Sequence, residues 1–428
     1  MRRYHVHFTE KNLTGNAGLV HLGQFAKKLD LHRMLEQGIS LVRGRTAQLS
    51  VADGIIMLAM GVVAGAKHMS HLAVLRTDAV IRALFKWKNF PDDTTFGRLF
   101  KLFRPVHCHE LSEVEAKART KVWSKKWFGR ITLDLDSTVK GVYGSQQGAE
   151  KGFNTKKKGQ KSYHPLLCFI AETGECLHNW FRAGSAYTGN GAVEFMKECF
   201  SRIPKRVWSI LVRADSGFFN GDLLDLLEEK ASQYLIKVKM RNLTTLLMEQ
   251  SWRKTKNKPG VETTEFIYKC HGWTRARRFV AVRILVDTET KGTLFPIPHY
   301  EFFCYVTTLS CTPWEAHKLY GKRATNENWI EWCKNQMASG SILTQDFWAN
   351  SAIFQTSILA YNLLVWMMWL NHEKGFREEP DTIRAWLIHV PARLLHGSRQ
   401  WVLKLSKTYL FKEQWQRLET SIAELGFA

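Results

Sequence analysis

The stretch RITLDLD, Arg130 to Asp136, decides how the chain is read. Ile131, Leu133 and Leu135 alternate with Thr132, Asp134 and Asp136, the period of a strand with one face on a core. The run closes on an acid, and a second apolar run, WSILVRAD from Trp208 to Asp215, closes the same way before Ser216 and Gly217. A carboxylate at the end of an apolar strand is costly unless it is solvated, paired or bound to a metal. Asp134 and Asp136 lie two apart, so both side chains leave one face of the strand.

Working outward, strands are expected at Pro165 to Ala171 and Glu175 to Phe181, and a helix at Gly191 to Ile203. The Trp208 to Asp215 strand follows, then a helix at Leu223 to Lys230 and a strand at Gln233 to Val238. The order β-β-β-α-β-α-β predicts a mixed α/β domain. Thr263 to Cys270, Arg278 to Val286 and Phe302 to Thr308 alternate again and read as an inserted β subdomain. Residues before 126 and after Trp348 read as helical. The expected division is a helical DNA-binding part at 1–125, a first core segment at 126–239 and the β-rich insertion at 240–310. A second core segment at 311–375 and a C-terminal helical region at 376–428, a candidate for dimerisation, complete it.

Charge narrows the partner. With 61 Lys+Arg against 39 Asp+Glu the net charge is +22, a field that favours a polyanion such as nucleic acid. Eight cysteines without a CxxC pair or framework spacing point to free thiols in a reducing cytosol. In His107, Cys108 and His109, adjacent side chains cannot all face one ion, which argues against a metal cluster. The N-terminus, MRRYHVHFTEKN, lacks the apolar core of a signal peptide. Phe347 to Leu370 carries no charge and is long enough to span a bilayer. The polar residues Asn350, Ser351, Gln355, Thr356, Ser357 and Asn362 within it favour a buried helix and no membrane.

A further pattern lies at Tyr320, Arg323, Glu327 and Lys334. On one continuous helix turning about 100° per residue, all four project from a sector of about 60°. A carboxylate between cations suits a metal site beside phosphates, and with Asp136 and Asp215 a three-carboxylate site for Mg²⁺ becomes conceivable. Periodicity does not choose between Glu327 and Glu331, nor does it exclude Asp134 as a ligand.

The spacing Tyr320-(2)-Arg323-(3)-Glu327-(6)-Lys334 resembles the YREK signature of bacterial insertion-sequence transposases of the DDE class. Asp136-Ser137-Thr138 is similar to their first aspartate motif and Arg213 to Gly217 to their second. The flanking KGFNTKKKGQKSYHPLL and Phe347 to Asn350 share the likeness, which covers about residues 126–400. The resemblance implies an RNase H-like core with a β-rich insertion before the glutamate helix. It implies that Asp136, Asp215 and Glu327 coordinate two Mg²⁺ or Mn²⁺ ions, with Asp134 as a neighbour of the site. Arg323 and Lys334 would neutralise phosphates and Tyr320 would hydrogen-bond one.

Some relatives stack a flipped base on an aromatic of the insertion, and Trp273 beside Arg275 is the candidate here, with His299 and Tyr300 as another. Lys156, Lys157 and Lys158 are candidates for backbone phosphates. The implied activity is cleavage at transposon ends and strand transfer by a homodimer on double-stranded DNA, acting on terminal inverted repeats and target DNA. One rival is a metal-dependent nuclease without strand transfer. Another is a non-catalytic DNA-binding descendant, against which the intact acids argue.

Overall fold

The computed structural model describes residues 2–44, 46–152, 159–289, 297–371, 378–397 and 400–427. They form two units, one of Met1–Lys126, Ser145–Gln147 and Ile330–Ala428, the other of Trp127–Gly144 and Gly148–Trp329.

The second unit is built on a nine-stranded sheet, with Lys140–Gly141, Glu150–Lys151 and Lys161–Tyr163 forming a separate three-stranded one. Its core strands are β1 (Arg130–Ser137), β2 (Leu166–Ile170), β3 (Cys176–Trp180), β4 (Ser209–Ala214) and β5 (Gln233–Lys237). Helix α1 (Ala192–Ser201) lies between β3 and β4, and α2 (Gly221–Glu229) between β4 and β5. Gly191 starts α1 from a left-handed φ of 71°, a conformation glycine adopts without strain. Asn220 caps α2 by accepting from the Asp222 and Leu223 amides.

Across the sheet the core order is β3-β2-β1-β4-β5. β1 runs antiparallel to β2 and parallel to β4, and β4 runs parallel to β5. This is the expected β-β-β-α-β-α-β chain order folded as an RNase H-like mixed sheet. Ile131, Leu133 and Leu135 are buried, as the alternation predicts.

The inserted strands are β6 (Arg253–Lys254), β7 (Val261–Tyr268), β8 (Arg277–Glu289) and β9 (Ile297–Thr307). They extend the core sheet: β9 pairs antiparallel with β5, placing Tyr305, Val306 and Thr307 opposite Lys237, Ile236 and Leu235. Arg277 fastens the insertion to α2, donating to Glu228 at 2.7 Å and Asp225 at 2.6 Å. Thr312 and Glu315 form a capping box with Pro313 in the first turn, which starts helix α3 (Pro313–Gly321). Helix α4 (Ala324–Glu331) follows.

In the first unit, helices Val51–Val63 and Pro105–Lys125 pack on the helix Phe347–Asn371. Phe347–Asn371 is long and apolar enough to cross a membrane, and 89% of its most apolar window is buried within the protein. The polar residues within it have internal partners: Asn350 donates to Thr344 O, Thr356 to Ala352 O, and Asn362 to Glu115. Burial of those groups is tolerable because each is hydrogen-bonded.

The expectation that everything after Trp348 is helical is corrected here. Ala392–Gly397 and Gln400–Leu405 form an antiparallel hairpin, and Leu13–Thr14 pairs with its first strand. The strand that completes this sheet comes from the opposite end of the sequence.

Candidate active site

The parallel register of β1 and β4 places Leu135 beside Ala214, so Asp136 and Asp215 stand at adjoining strand ends. One register step back, Asp134 lies beside Arg213. The Arg213 guanidinium donates from Nε and Nη2 to both Asp134 oxygens at 2.7 Å, and from Nη1 to Leu319 O at 2.8 Å. Asp134 is fully buried, and burial pushes its carboxyl up while the Arg213 and Arg323 charges oppose. With both oxygens on Arg213, Asp134 ties β1 to β4 and, through Arg213, to the end of α3. A fork-to-fork pair of this kind is strong and geometrically specific.

Asp136 sits on the same face at the strand's end, 14% exposed. Its Oδ1 accepts from the Ser137 amide at 2.8 Å, and the Arg323 guanidinium lies 2.8 Å from Oδ2. Arg323 is itself buried and also donates to Leu135 O at 3.0 Å. Burial pushes the Asp136 acid up to about 6; Arg323 opposes the rise, and the Asp215 and Glu327 charges add to it. The three carboxylates therefore share one electrostatic neighbourhood. Asn326 Nδ2 is 3.5 Å from Asp136 Oδ2, while Asn326 Oδ1 and Arg323 Nε are buried without a hydrogen-bond partner.

Helix α4 is held over the sheet by Trp329, whose ring lies 5.8 Å from that of Phe169 on β2. A Cβ on Gly174, where φ is 75°, would come within 3.2 Å of the Trp329 indole nitrogen. Glu327, in the first turn of α4, is exposed. Glu331 accepts a 3.4 Å contact from Asn335. Tyr320 packs on Tyr305 with ring centroids 4.7 Å apart, and burial pushes its hydroxyl up to about 12, so it stays protonated.

Asp215 caps the short turn Ser216–Phe218, accepting from the Gly217 amide at 2.9 Å. A Cβ at Gly217 would lie 2.8 Å from Thr188, so the tight turn beside the acid needs glycine. A cavity of about 570 Å³ opens next to it, lined in part by Tyr187, Ser216, Gly217, Lys239 and Arg241. Lys239 Nζ donates to the Tyr187 hydroxyl at 3.2 Å.

A family model described as "Transposase DDE domain group 1" matches residues 1–427. The chain belongs to that family. It is also similar to a piggyBac transposase solved by cryo-electron microscopy as a synaptic complex with hairpin DNA. That likeness has a TM-score of 0.46 and 13% identity, covering 88% of this chain and 81% of the other. No curated protein matches the chain.

For a DDE transposase the carboxylates are the donors to test against divalent metal. Hard oxygen donors suit Mg²⁺ or Mn²⁺, and the burial and like-charge repulsion that raise Asp136 are what a bound cation would offset. The donor types fit. Among the described residues, however, no three His, Cys, Asp or Glu side chains are gathered closely enough to hold one ion. The cation beside Asp136 is Arg323.

The stripe from Tyr320 to Lys334 is not one α-helix: α3 ends at Gly321, α4 begins at Ala324, and Trp332–Gln336 is a π-turn. Arg323 N donates to Tyr320 O and Asn326 N to Arg323 O, each three residues back, which tightens the junction. Met337 N then reaches five residues back to Trp332 O, so the common sector is lost before Lys334. Arg323 is engaged by Asp136 and Leu135 rather than held free for phosphate.

Trp273 packs inside the DDE transposase's insertion, with Phe219 at 5.2 Å, Phe279 at 6.0 Å and the Arg277 guanidinium over its ring at 4.8 Å. Arg275 pairs with Glu228 at 3.3 Å and Asp225 at 3.6 Å. Tyr300 lies under Arg283 at 4.4 Å. Lys156, Lys157 and Lys158 lie outside the described residues. Arg213, Asn326, Lys239 and Arg241 carry parts of the site that pattern reading did not assign. Of these, Arg213 was signalled by its place in the stretch Arg213 to Gly217 that resembles the second aspartate motif.

Proposed function

We propose that the protein is a transposase that cuts at the ends of its own insertion-sequence-type element and joins the freed ends to target DNA. The observation that carries this reading is the pair Asp136 and Asp215 at adjoining ends of parallel strands, with the Glu327 charge acting on Asp136. Asp136, Asp215 and Glu327 would hold two Mg²⁺ or Mn²⁺ ions, which when bound supply Lewis acidity and lower the pKa of a water nucleophile.

The cleavage step forms a bond from water oxygen to phosphorus and breaks the bond from phosphorus to the 3′ oxygen, which leaves as a 3′-OH. In joining, that 3′-OH attacks a target phosphodiester and displaces the target's own 3′ oxygen. The Tyr320 hydroxyl, kept protonated by burial, would donate to a phosphate oxygen. Lys239 and Arg241 supply the cationic wall of the cavity beside Asp215, a place for the flanking phosphate. Lys334 and Lys156–Lys158 add backbone-phosphate contacts in this reading, and two copies bring two ends together. Arg323 acts as counter-ion to Asp136, while Trp273 and Arg275 serve packing and ion pairing.

The test incubates protein with terminal-repeat DNA, a target plasmid and Mg²⁺, following nicked and joined products on sequencing gels. Wild type is expected to yield both, and Asp136→Asn and Glu327→Gln neither, with losses of at least about 10³-fold. Undiminished cleavage by both variants overturns the site. Cleavage with no joined product reduces the protein to a nuclease.

A further inference from the structure

At the opposite end of the strands from the acids, β1 and β4 begin with an aromatic and cationic cluster. Trp127 is 47% exposed and Trp208 67% exposed. The Arg206 guanidinium lies over the Trp127 ring at 5.6 Å, and Arg130 over the Trp208 ring at 4.6 Å. Trp208 is set in place by its backbone: its amide donates to Gly129 O at 2.9 Å, and Ser209 N donates to the same oxygen at 3.1 Å. A Cβ at Gly129 would lie 2.1 Å from the Trp208 indole nitrogen, so glycine lets the ring settle against the chain.

Arg130, Lys205 and Arg206 are all exposed, and neither 127–133 nor 203–211 contains an Asp or Glu. The nearby Glu172 carboxylate is occupied by the Thr132 amide, at 2.8 and 3.0 Å.

Large aromatic rings left in water are unfavourable unless a partner covers them. A second copy meeting this face symmetrically would set Arg130, Lys205 and Arg206 against their own equivalents with no acid between them. A nucleic acid offers the opposite charge. A duplex hides the faces of its bases, whereas an unpaired strand offers them for stacking on indole and guanidinium planes.

We infer that Trp127, Trp208, Arg130, Arg206 and Lys205 form a second DNA contact, which holds an unpaired strand about 20 Å from Asp136, six residues along β1. The inference depends on the proposed function only in taking DNA as the partner. The indoles stack on bases, and the three cations face the phosphates between them.

The test measures binding of fluorescein-labelled (dT)₁₅, and of a duplex of the same length, to the full chain by anisotropy across a salt series. Trp127→Ala/Trp208→Ala should weaken (dT)₁₅ binding at least about tenfold and duplex binding far less. Trp127→Phe/Trp208→Phe should restore most of the loss. Arg130→Ala/Arg206→Ala should flatten the slope of log K against log salt by about 1.4, and the Lys pair should preserve it. All titrations run in EDTA, where no metal-dependent cleavage occurs, which separates this claim from the catalytic one.

Wild-type binding by both Ala pairs overturns the inference. So does loss of self-association in sedimentation with (dT)₁₅ binding intact, which would assign the face to a second copy. If an Ala pair melts early, the Phe and Lys pairs decide: failure of Phe to keep affinity, or of Lys to keep the slope, counts against stacking and phosphate contact respectively.

Discussion

At the scale of single residues, the chemistry centres on Asp136, a carboxylate that burial and two like charges push up to about 6 while Arg323 opposes. A group whose folded pKa is raised contributes stability that is present below its unfolded pKa and lost as pH rises through the folded value. For Asp136 that window runs from about 4 to about 6. In metal-free buffer, Asp136→Asn should therefore gain stability relative to wild type by about 1–3 kcal/mol more at pH 8 than at pH 4. Urea melts of the two proteins at both pH values check it; a pH-independent difference would contradict it. Asp136 and Asp215 were legible because an acid closing an apolar strand stands out in one dimension. The partnership of Arg323 with Asp136 was not legible, since a sequence shows where a charge is but not what it faces. Asp134 could be separated from Asp136 only by the buried guanidinium of Arg213.

At the scale of elements, the alternating runs around 130–136 and 208–215 gave the right strands in the right order, because period-two burial is a local property. Trp332–Gln336 defeated the helical projection since a π-turn depends on packing that periodicity does not encode. The hairpin Ala392–Gly397 and Gln400–Leu405 escaped for another reason: its third strand is Leu13–Thr14, nearly the full chain away. The insertion is fastened to the core by one buried cation, Arg277, between Asp225 and Glu228. Arg277→Ala leaves two partly buried acids, Asp225 and Glu228, with only the exposed Arg275 as counter-ion. The expected cost is about 2–4 kcal/mol, discounted from a fully buried pair because Asp225 is 30% exposed. Chemical denaturation measures the loss, and a change below about 0.5 kcal/mol would show that sheet continuity through β5 and β9 holds the insertion unaided.

At the scale of the whole molecule, a net charge of +22 and membership of the DDE transposase family agree on a polyanionic substrate. The charge announced the partner class before any motif was read. It could not locate the contacts, because cations such as Arg277 and Arg323 are used up inside the protein. The central claim is that Asp136, Asp215 and Glu327, drawn from two strands and a helix, act together on divalent metal. Calorimetric titration of Mn²⁺ into wild type and into Asp136→Asn, Asp215→Asn and Glu327→Gln tests it most directly. Each single variant is predicted to lose at least about tenfold in Mn²⁺ affinity, since each removes one hard oxygen donor. Wild-type affinity in Glu327→Gln would contradict the account.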